Sequence, residues 1–238
     1  MTSGKKWAAI AGGSAAAFAG LAAYGAVGPS SQLFGPYQSR GDGRRRSIAL
    51  TFDDGPSEST PILLDYLERE QVPATFFQCG MNAARLPRIA REVADRGHQI
   101  GNHTYSHPLL AMKPPAFIAR EFGEAQTIIE NETGVRPTVL RPPFGVRWLG
   151  MRPVQQRLGL LGIGWTIIGY DWAWPADRIA RHVLAVVSAG GVIVLHDGRE
   201  TRTRPDVSAM LAATKEIVPA LKDRGYRFET VRQILDIR

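Results

Sequence analysis

Cysteine is almost absent. Cys79 stands alone among 238 residues, so no disulfide within the chain is possible, and cysteine usage is silent about the compartment. It ends the apolar run Thr75 to Gln78, where a free thiol behaves as a small buried hydrophobe rather than a nucleophile. A large excess of one charge is also missing from most of the chain. The formal charge is +7, but Lys5, Lys6, Arg40, Arg44, Arg45 and Arg46 against Asp42 leave +5 in the first 46 residues, and the 23 basic and 21 acidic residues after them leave +2. A body so close to neutral lacks the phosphate-binding face of a nucleic-acid binder, so no nucleic-acid partner is expected. Repeats are absent, and low complexity is confined to an Ala/Gly-rich leader. With 44% hydrophobic residues, the chain is long enough for one domain with a substantial core and too short for two catalytic domains.

What is present begins with the leader. Lys5 and Lys6 precede a 21-residue uncharged stretch, Trp7 to Val27, close to the roughly 20 residues that span a bilayer as a helix. Four glycines make it weakly hydrophobic, and Ala23-Tyr24-Gly25 is a mediocre cleavage site. Residues 1–28 are therefore expected to be a membrane anchor, or else a signal-like segment. Residues 29–46, with Pro, Gly, Ser and a terminal Arg run, read as a flexible linker. Residues 47–238 are the expected catalytic domain.

From Ser47 onward, short β-branched or aromatic runs alternate with helical patterns. Strands are predicted at Ile48–Phe52, Ala74–Gln78, Gln99–Asn102, Val139–Arg141, Gly162–Ile168, Val192–Leu195 and Arg227–Thr230. Helices are predicted at Pro61–Glu70, Leu86–Arg96, Pro115–Glu132, Arg147–Leu158, Asp177–Ser188 and Ser208–Arg224. Strands and helices in alternation imply parallel strands joined by crossover helices. The expected fold is α/β, a distorted (β/α) barrel of about seven parallel strands. Asp53, Asp54, His103, His107, Asp171 and His196 all follow strand ends and Arg141 lies on one, and the C-terminal strand ends are where such barrels build their active sites.

The side chains gathered there suit hydrolysis. His103 and His107, four residues apart, are able to bind one ion through imidazole nitrogens, and Asp54 adds a carboxylate oxygen while leaving positions open. Zinc is the first choice for these ligands, with cobalt, nickel or manganese as alternatives. Neighbouring side chains diverge at a strand end, so Asp53 is free to act as general base. The same four residues, Asp53-Asp54-Gly55-Pro56, also have the composition of a turn, which would aim both carboxylates. His196 shares the alternating face of Val192 and Val194.

The clusters Thr51-Phe52-Asp53-Asp54-Gly55-Pro56, Asn102-His103-Thr104-Tyr105-Ser106-His107, Arg141-Pro142-Pro143-Phe144-Gly145, Asp171-Trp172 and Leu195-His196-Asp197 resemble the motifs of the polysaccharide deacetylases, the family that includes chitin, peptidoglycan and nodulation-factor deacetylases. The resemblance runs from about Ser47 to the C-terminus. It implies Asp53 as base, Asp54, His103 and His107 as metal ligands, His196 as general acid oriented by Asp171, and Arg141 as the partner that keeps Asp53 ionised. It implies a substrate-binding set of Pro142, Phe144, Trp172 and Leu195, with Trp172 and Leu195 walling a pocket for the acetyl methyl and the Phe144 backbone N–H stabilising an oxyanion. The family commonly has tyrosine at Phe144 and aspartate at Ile168; a backbone donor survives the first change, and the second is expected to be chemically neutral. Trp174 and Tyr170 are candidates for stacking on sugar rings or for loop packing. The expected partner is an acetylated glycan outside the cytoplasmic membrane, cleaved at N-acetyl or O-acetyl groups; a noncatalytic carbohydrate binder would be expected to have lost the ligands or the base.

Overall fold

The computed structural model describes residues 20–237. Nine parallel strands form the frame: β1 Tyr37–Gln38, β2 Ser47–Asp53, β3 Thr75–Gln78, β4 Gln99–Asn102, β5 Val139–Leu140, β6 Leu161–Ile163, β7 Ile167–Ile168, β8 Val192–His196 and β9 Arg227–Phe228. Their order is β1-β6-β5-β4-β3-β2-β8-β7, and β9 pairs with β2. The helices are α1 Thr60–Arg69, α2 Gly80–Arg85, α3 Pro87–Asp95, α4 Pro115–Thr133, α5 Met151–Leu158, α6 Ala176–Val186, α7 Ser208–Asp223 and α8 Val231–Ile234.

The expected strand Gly162–Ile168 is two strands that flank the break in the barrel's hydrogen-bonded ladder. β6 pairs with β5, while β7 pairs with β8, so residues 164–166 carry the chain across the gap between them. Seven strands, β2 to β8, thus curl around one axis, and the ring is closed by covalent chain rather than by a ladder. The strand parity explains what faces the axis. On β2, Ile48, Leu50 and Phe52 join the main apolar layer beneath the helices, and Ala49 packs with Phe77 and Val192 on the other side. Asp53, two positions beyond Thr51, inherits the axial side.

The other boundaries differ for local reasons. α5 starts at Met151 rather than Arg147 because Gly150 adopts φ 97° before it, a conformation that ends regular structure and suits glycine. The expected strand at Arg227–Thr230 stops at Phe228, since Thr230 caps α8 in a capping box with Gln233.

The expected linker needs correction. Residues 29–46 are not a loose tether: β1 extends the sheet beside β6, and Ser31, Phe34 and Tyr37 are buried. Pro and Gly mark turns in this segment, and its apolar side chains find a face to cover. Only residues 20–27 of the Trp7–Val27 stretch are described; they are helical, with Ala26 buried. The remainder of the expected anchor lies outside the described residues, and among the described residues no helix is long and apolar enough to cross a membrane.

Candidate active site

The first carboxylates come from the end of β2. Asp53 is 4% exposed and its Oδ1 accepts from Arg141 Nη1 at 2.7 Å. Arg141 is fully buried along the barrel axis. It also donates to Thr51 Oγ1 at 2.7 Å and to the carbonyls of Ile163 and Gly164 at 3.3 and 3.0 Å, with its guanidinium 4.1 Å from the Phe77 ring centre. A charge this deeply buried persists because its donors are met and a carboxylate lies beside it.

Asp54 turns the other way. Its backbone takes φ 71°, and its Oδ1 lies 3.2 Å from His103 Nε2 and 3.0 Å from His107 Nε2. One ligand atom from each residue lies within 4.8 Å of the others. His103 Nδ1 sits 2.7 Å from the Arg141 carbonyl oxygen, which only accepts, so Nδ1 carries the ring proton. His103 Nε2 and His107 Nε2 both face Asp54 Oδ1, a buried oxygen with no hydrogen-bond partner among the described residues. A buried carboxylate oxygen without a hydrogen-bond partner, set between two imidazole nitrogens, is the arrangement a shared cation satisfies, and two imidazoles with one carboxylate form a borderline donor set that suits zinc. Burial pushes the Asp54 carboxyl up, but the two imidazoles outweigh it and hold the group well below its usual range.

The loop bearing the histidines is held from behind. Thr104 and His107 have φ of 67° and 57°. Asn102 Oδ1 accepts from the Thr104 N–H, Thr104 Oγ1 accepts from the His107 N–H, and Ser106 donates through N–H and hydroxyl to Glu121 of α4 at 2.8 and 2.9 Å.

Opposite Asp54, His103 and His107, Asp171 grips His196 twice. Its Oδ1 is 3.0 Å from His196 Nδ1 and its Oδ2 accepts the His196 backbone N–H at 3.0 Å. Burial alone would push the imidazole down; the Asp171 bond and charge, with the charges of Asp54 and Asp53, raise it to about 9. The Trp172 ring meets His196 edge-on at 5.1 Å. Phe144, 59% exposed with φ 58°, closes another side and touches the His107 ring at 4.9 Å. In its turn the N–H groups of Gly145 and Val146 are bonded to the carbonyls of Pro142 and Pro143, which leaves the Phe144 N–H unused by these bonds.

These groups surround a cavity of about 430 Å³ that also meets Trp165, Ile168 and Val194. Two expected members of the substrate set are elsewhere. Leu195 is fully buried in the layer beneath the helices, because strand alternation that turns Val194 and His196 inward must turn Leu195 outward; Val194 and Ile168 line the cavity instead. Pro142 is buried and serves the turn through its carbonyl. Trp174 packs against Tyr170 and His182, with Arg178 over its ring.

Three supporting residues had no assigned role in the sequence. Asn82 donates to the carbonyls of Asp54 and Glu200, and the Glu200 N–H donates to Asp54 Oδ2 at 2.8 Å. Asp197 lies beneath the Asp54 turn, where Thr60 donates to its Oδ2 at 2.6 Å and Ser57 to its carbonyl at 2.5 Å; burial and the nearby carboxylates lift it to about 7. The signal for Asn82 was its place just past β3, at the same barrel face as the motifs.

The family model for polysaccharide deacetylase matches residues 40–163. The chitooligosaccharide deacetylase of Bradyrhizobium sp. (strain ANU 289) is 34% identical over 212 residues, covering 85% of this chain and 97% of that protein. A peptidoglycan-N-acetylglucosamine deacetylase of Bacillus cereus is 35% identical over 82% of this chain and 70% of its own. Among solved structures, the Bc1960 peptidoglycan N-acetylglucosamine deacetylase, bound to an N-hydroxybenzamide, superposes with a TM-score of 0.79 at 33% identity, covering 85% of this chain and 94% of that one. The match over half the chain, the full-length relatives and the shared barrel together make this chain a member of the polysaccharide deacetylase family, a hydrolase of that class.

Proposed function

We propose that the protein removes N-acetyl groups from N-acetylglucosamine units of an envelope or extracellular glycan, using one divalent metal ion, with zinc the best fit. The observation that carries the metal is the convergence of His103 Nε2 and His107 Nε2 on Asp54 Oδ1, a buried oxygen with no hydrogen-bond partner among the described residues. The substrate class follows from the chitooligosaccharide and peptidoglycan deacetylases to which the chain is similar.

Asp54, His103 and His107 would hold the ion. When bound, such an ion polarises the amide carbonyl and makes water more acidic. Asp53, paired with Arg141, takes a proton from the attacking water as its oxygen bonds to the amide carbon. The Phe144 N–H donates to the oxyanion that forms. His196, raised to about 9, enters the reaction protonated and gives its Nε2 proton to the leaving nitrogen as the carbon–nitrogen bond breaks, so that acetate and a free amine leave. Trp172, Val194 and Ile168 supply apolar surface for the acetyl methyl.

Acetate release from chitooligosaccharides, peptidoglycan and acetylated xylan, each with and without chelator, tests this reading. Chelator-sensitive release from either of the first two is expected. Release from xylan alone would replace it with an O-acetyl esterase.

The catalytic body is proposed to lie outside the cytoplasmic membrane. Leu21, Tyr24 and Val27 leave exposed apolar surface on the helical segment 20–27, as a membrane-associated N-terminus would, whereas the Arg40 to Arg46 cluster pulls against this orientation. An exterior-active phosphatase fused after Arg238 should be active and a cytoplasm-only fluorescent reporter dark; the reverse pattern would overturn the proposal.

A further inference from the structure

Two buried arginines bracket the turn that presents Phe144. Arg141, before it, is spent on Asp53 and the barrel axis. Arg147, after it, is 2% exposed, yet among the described residues no carboxylate pairs with it. Its donors go to carbonyls of the N-terminal segment instead: its backbone N–H to Ala26 at 3.0 Å, Nε to Ala26 at 3.3 Å, Nη1 to Ser31 at 2.9 Å and Nη2 to Gly28 at 2.5 Å. Its guanidinium lies 4.0 Å from the Tyr37 ring centre. The carbonyls of Ala26 and Gly28 end the helical segment 20–27, the negative end of its dipole and a favourable place for a cation.

The same segment reaches the other arginine. Tyr37 on β1 runs beside β6, and it packs so closely on Gly164 that a Cβ there would come within 2.7 Å of the ring. The Gly164 carbonyl is an acceptor for Arg141 Nη2. Between these two anchors the Phe144 turn is exposed and holds a non-glycine residue at φ 58°, a conformation that persists only where the surroundings enforce it.

We propose that Arg147 is a positioning residue, which ties the Phe144 turn to residues 26–38 and thereby sets the N–H that meets the oxyanion. The N-terminal strap is then a working part of the catalytic unit, although it precedes the matched family region, 40–163. The kinetic side of this inference rests on the deacetylase reading; the structural side does not.

The test compares full-length, metal-loaded wild type with Arg147→Met, Arg147→Lys and Tyr37→Leu. For Arg147→Met, kcat should fall about tenfold to a hundredfold, as for a displaced oxyanion donor, with KM within about twofold, the pattern of a loss confined to the transition state. Metal content should stay at about one ion per chain. Amide hydrogen exchange should quicken in 144–148 and stay unchanged in 103–107. Arg147→Lys should recover part of kcat, since a cation remains at the carbonyls, and Tyr37→Leu should show the same signature more weakly. If Arg147→Met does not fold, these two variants carry the comparison. Wild-type kcat with unchanged exchange in 144–148, or a loss of kcat that tracks lost metal or unfolded protein, would overturn the clamp. If the wild type released no acetate, the deacetylase reading would fail while the exchange measurement still decided whether Arg147 holds the turn.

Discussion

His196 and Asp171 are the pair whose chemistry depends most on their setting. The imidazole is held at about 9 because Asp171 bonds it and anionic Asp54 and Asp53 lie near, against the opposing effect of burial. A cation on Asp54 cancels that carboxylate's share, so the loaded enzyme should lose its acid between the ordinary 6.5 and about 9. In the pH profile of kcat/KM this is the basic limb, since the protonated form is the active one. Asp171→Asn removes the largest raising contribution; the limb should move down in pH and the rate should fall on the order of 10²-fold. An unmoved limb would mean that another group sets it. The polar residues of the site were legible in the sequence because Asp-Asp, His-x-x-x-His and a terminal His have few structural reasons to share a barrel face. Leu195 and Pro142 were not. A wall residue is chosen by strand parity and turn geometry, and apolar composition is the same on both sides of a buried strand.

Helix α4 shows how an element without catalytic groups shapes the site. Glu121 accepts both Ser106 bonds, and Gln126 accepts from Asn102, whose Oδ1 holds Thr104. The loop bearing His103 and His107 therefore hangs from one face of a 19-residue helix. Glu121→Ala should weaken metal binding by about tenfold or more, in line with losses from groups that orient ligands. Competition against a chromophoric chelator reads this directly; unchanged affinity would show that the loop holds itself. Most elements were legible from hydrophobic period and Pro or Gly punctuation. The split of Gly162–Ile168 was hidden, because β6 and β7 are each buried and apolar and only pairing partners distinguish one strand from two. Glu121 and Gln126 were likewise silent, since a polar residue on a helix is ordinarily solvated and only the fold brings these against a loop.

Across the whole molecule, the order of the strap is hidden in the sequence for a related reason. Residues 29–46 have the composition of a tether, and what orders them is an open edge at β6 and a buried arginine more than a hundred residues later. The opposite end of the barrel holds another buried titratable group. His98 accepts the Ala74 N–H through Nδ1 and is pushed down to about 4 by burial, with Arg96 adding to it. Its folded pKa lies below its unfolded value, so the unfolded chain takes up the extra proton and stability falls as pH drops from 6.5 toward 4. Relative to His98→Gln, which is neutral at every pH, the wild type should lose on the order of 3 kcal/mol across that window in urea unfolding. A pH-independent difference would show that His98 takes no part in acid sensitivity.

The central claim is that the Asp54, His103 and His107 cluster works only with a divalent ion while Asp53 serves as base. Acetate release should therefore be measured on metal-stripped protein titrated with zinc, alongside Asp53→Asn titrated in the same way. Wild-type activity should be negligible without metal and should rise to a plateau at about one ion per chain. Asp53→Asn should bind the same one ion and remain slower by on the order of 10²-fold or more. Full turnover by the metal-free wild type, or an Asp53→Asn protein that binds no zinc, would contradict the account.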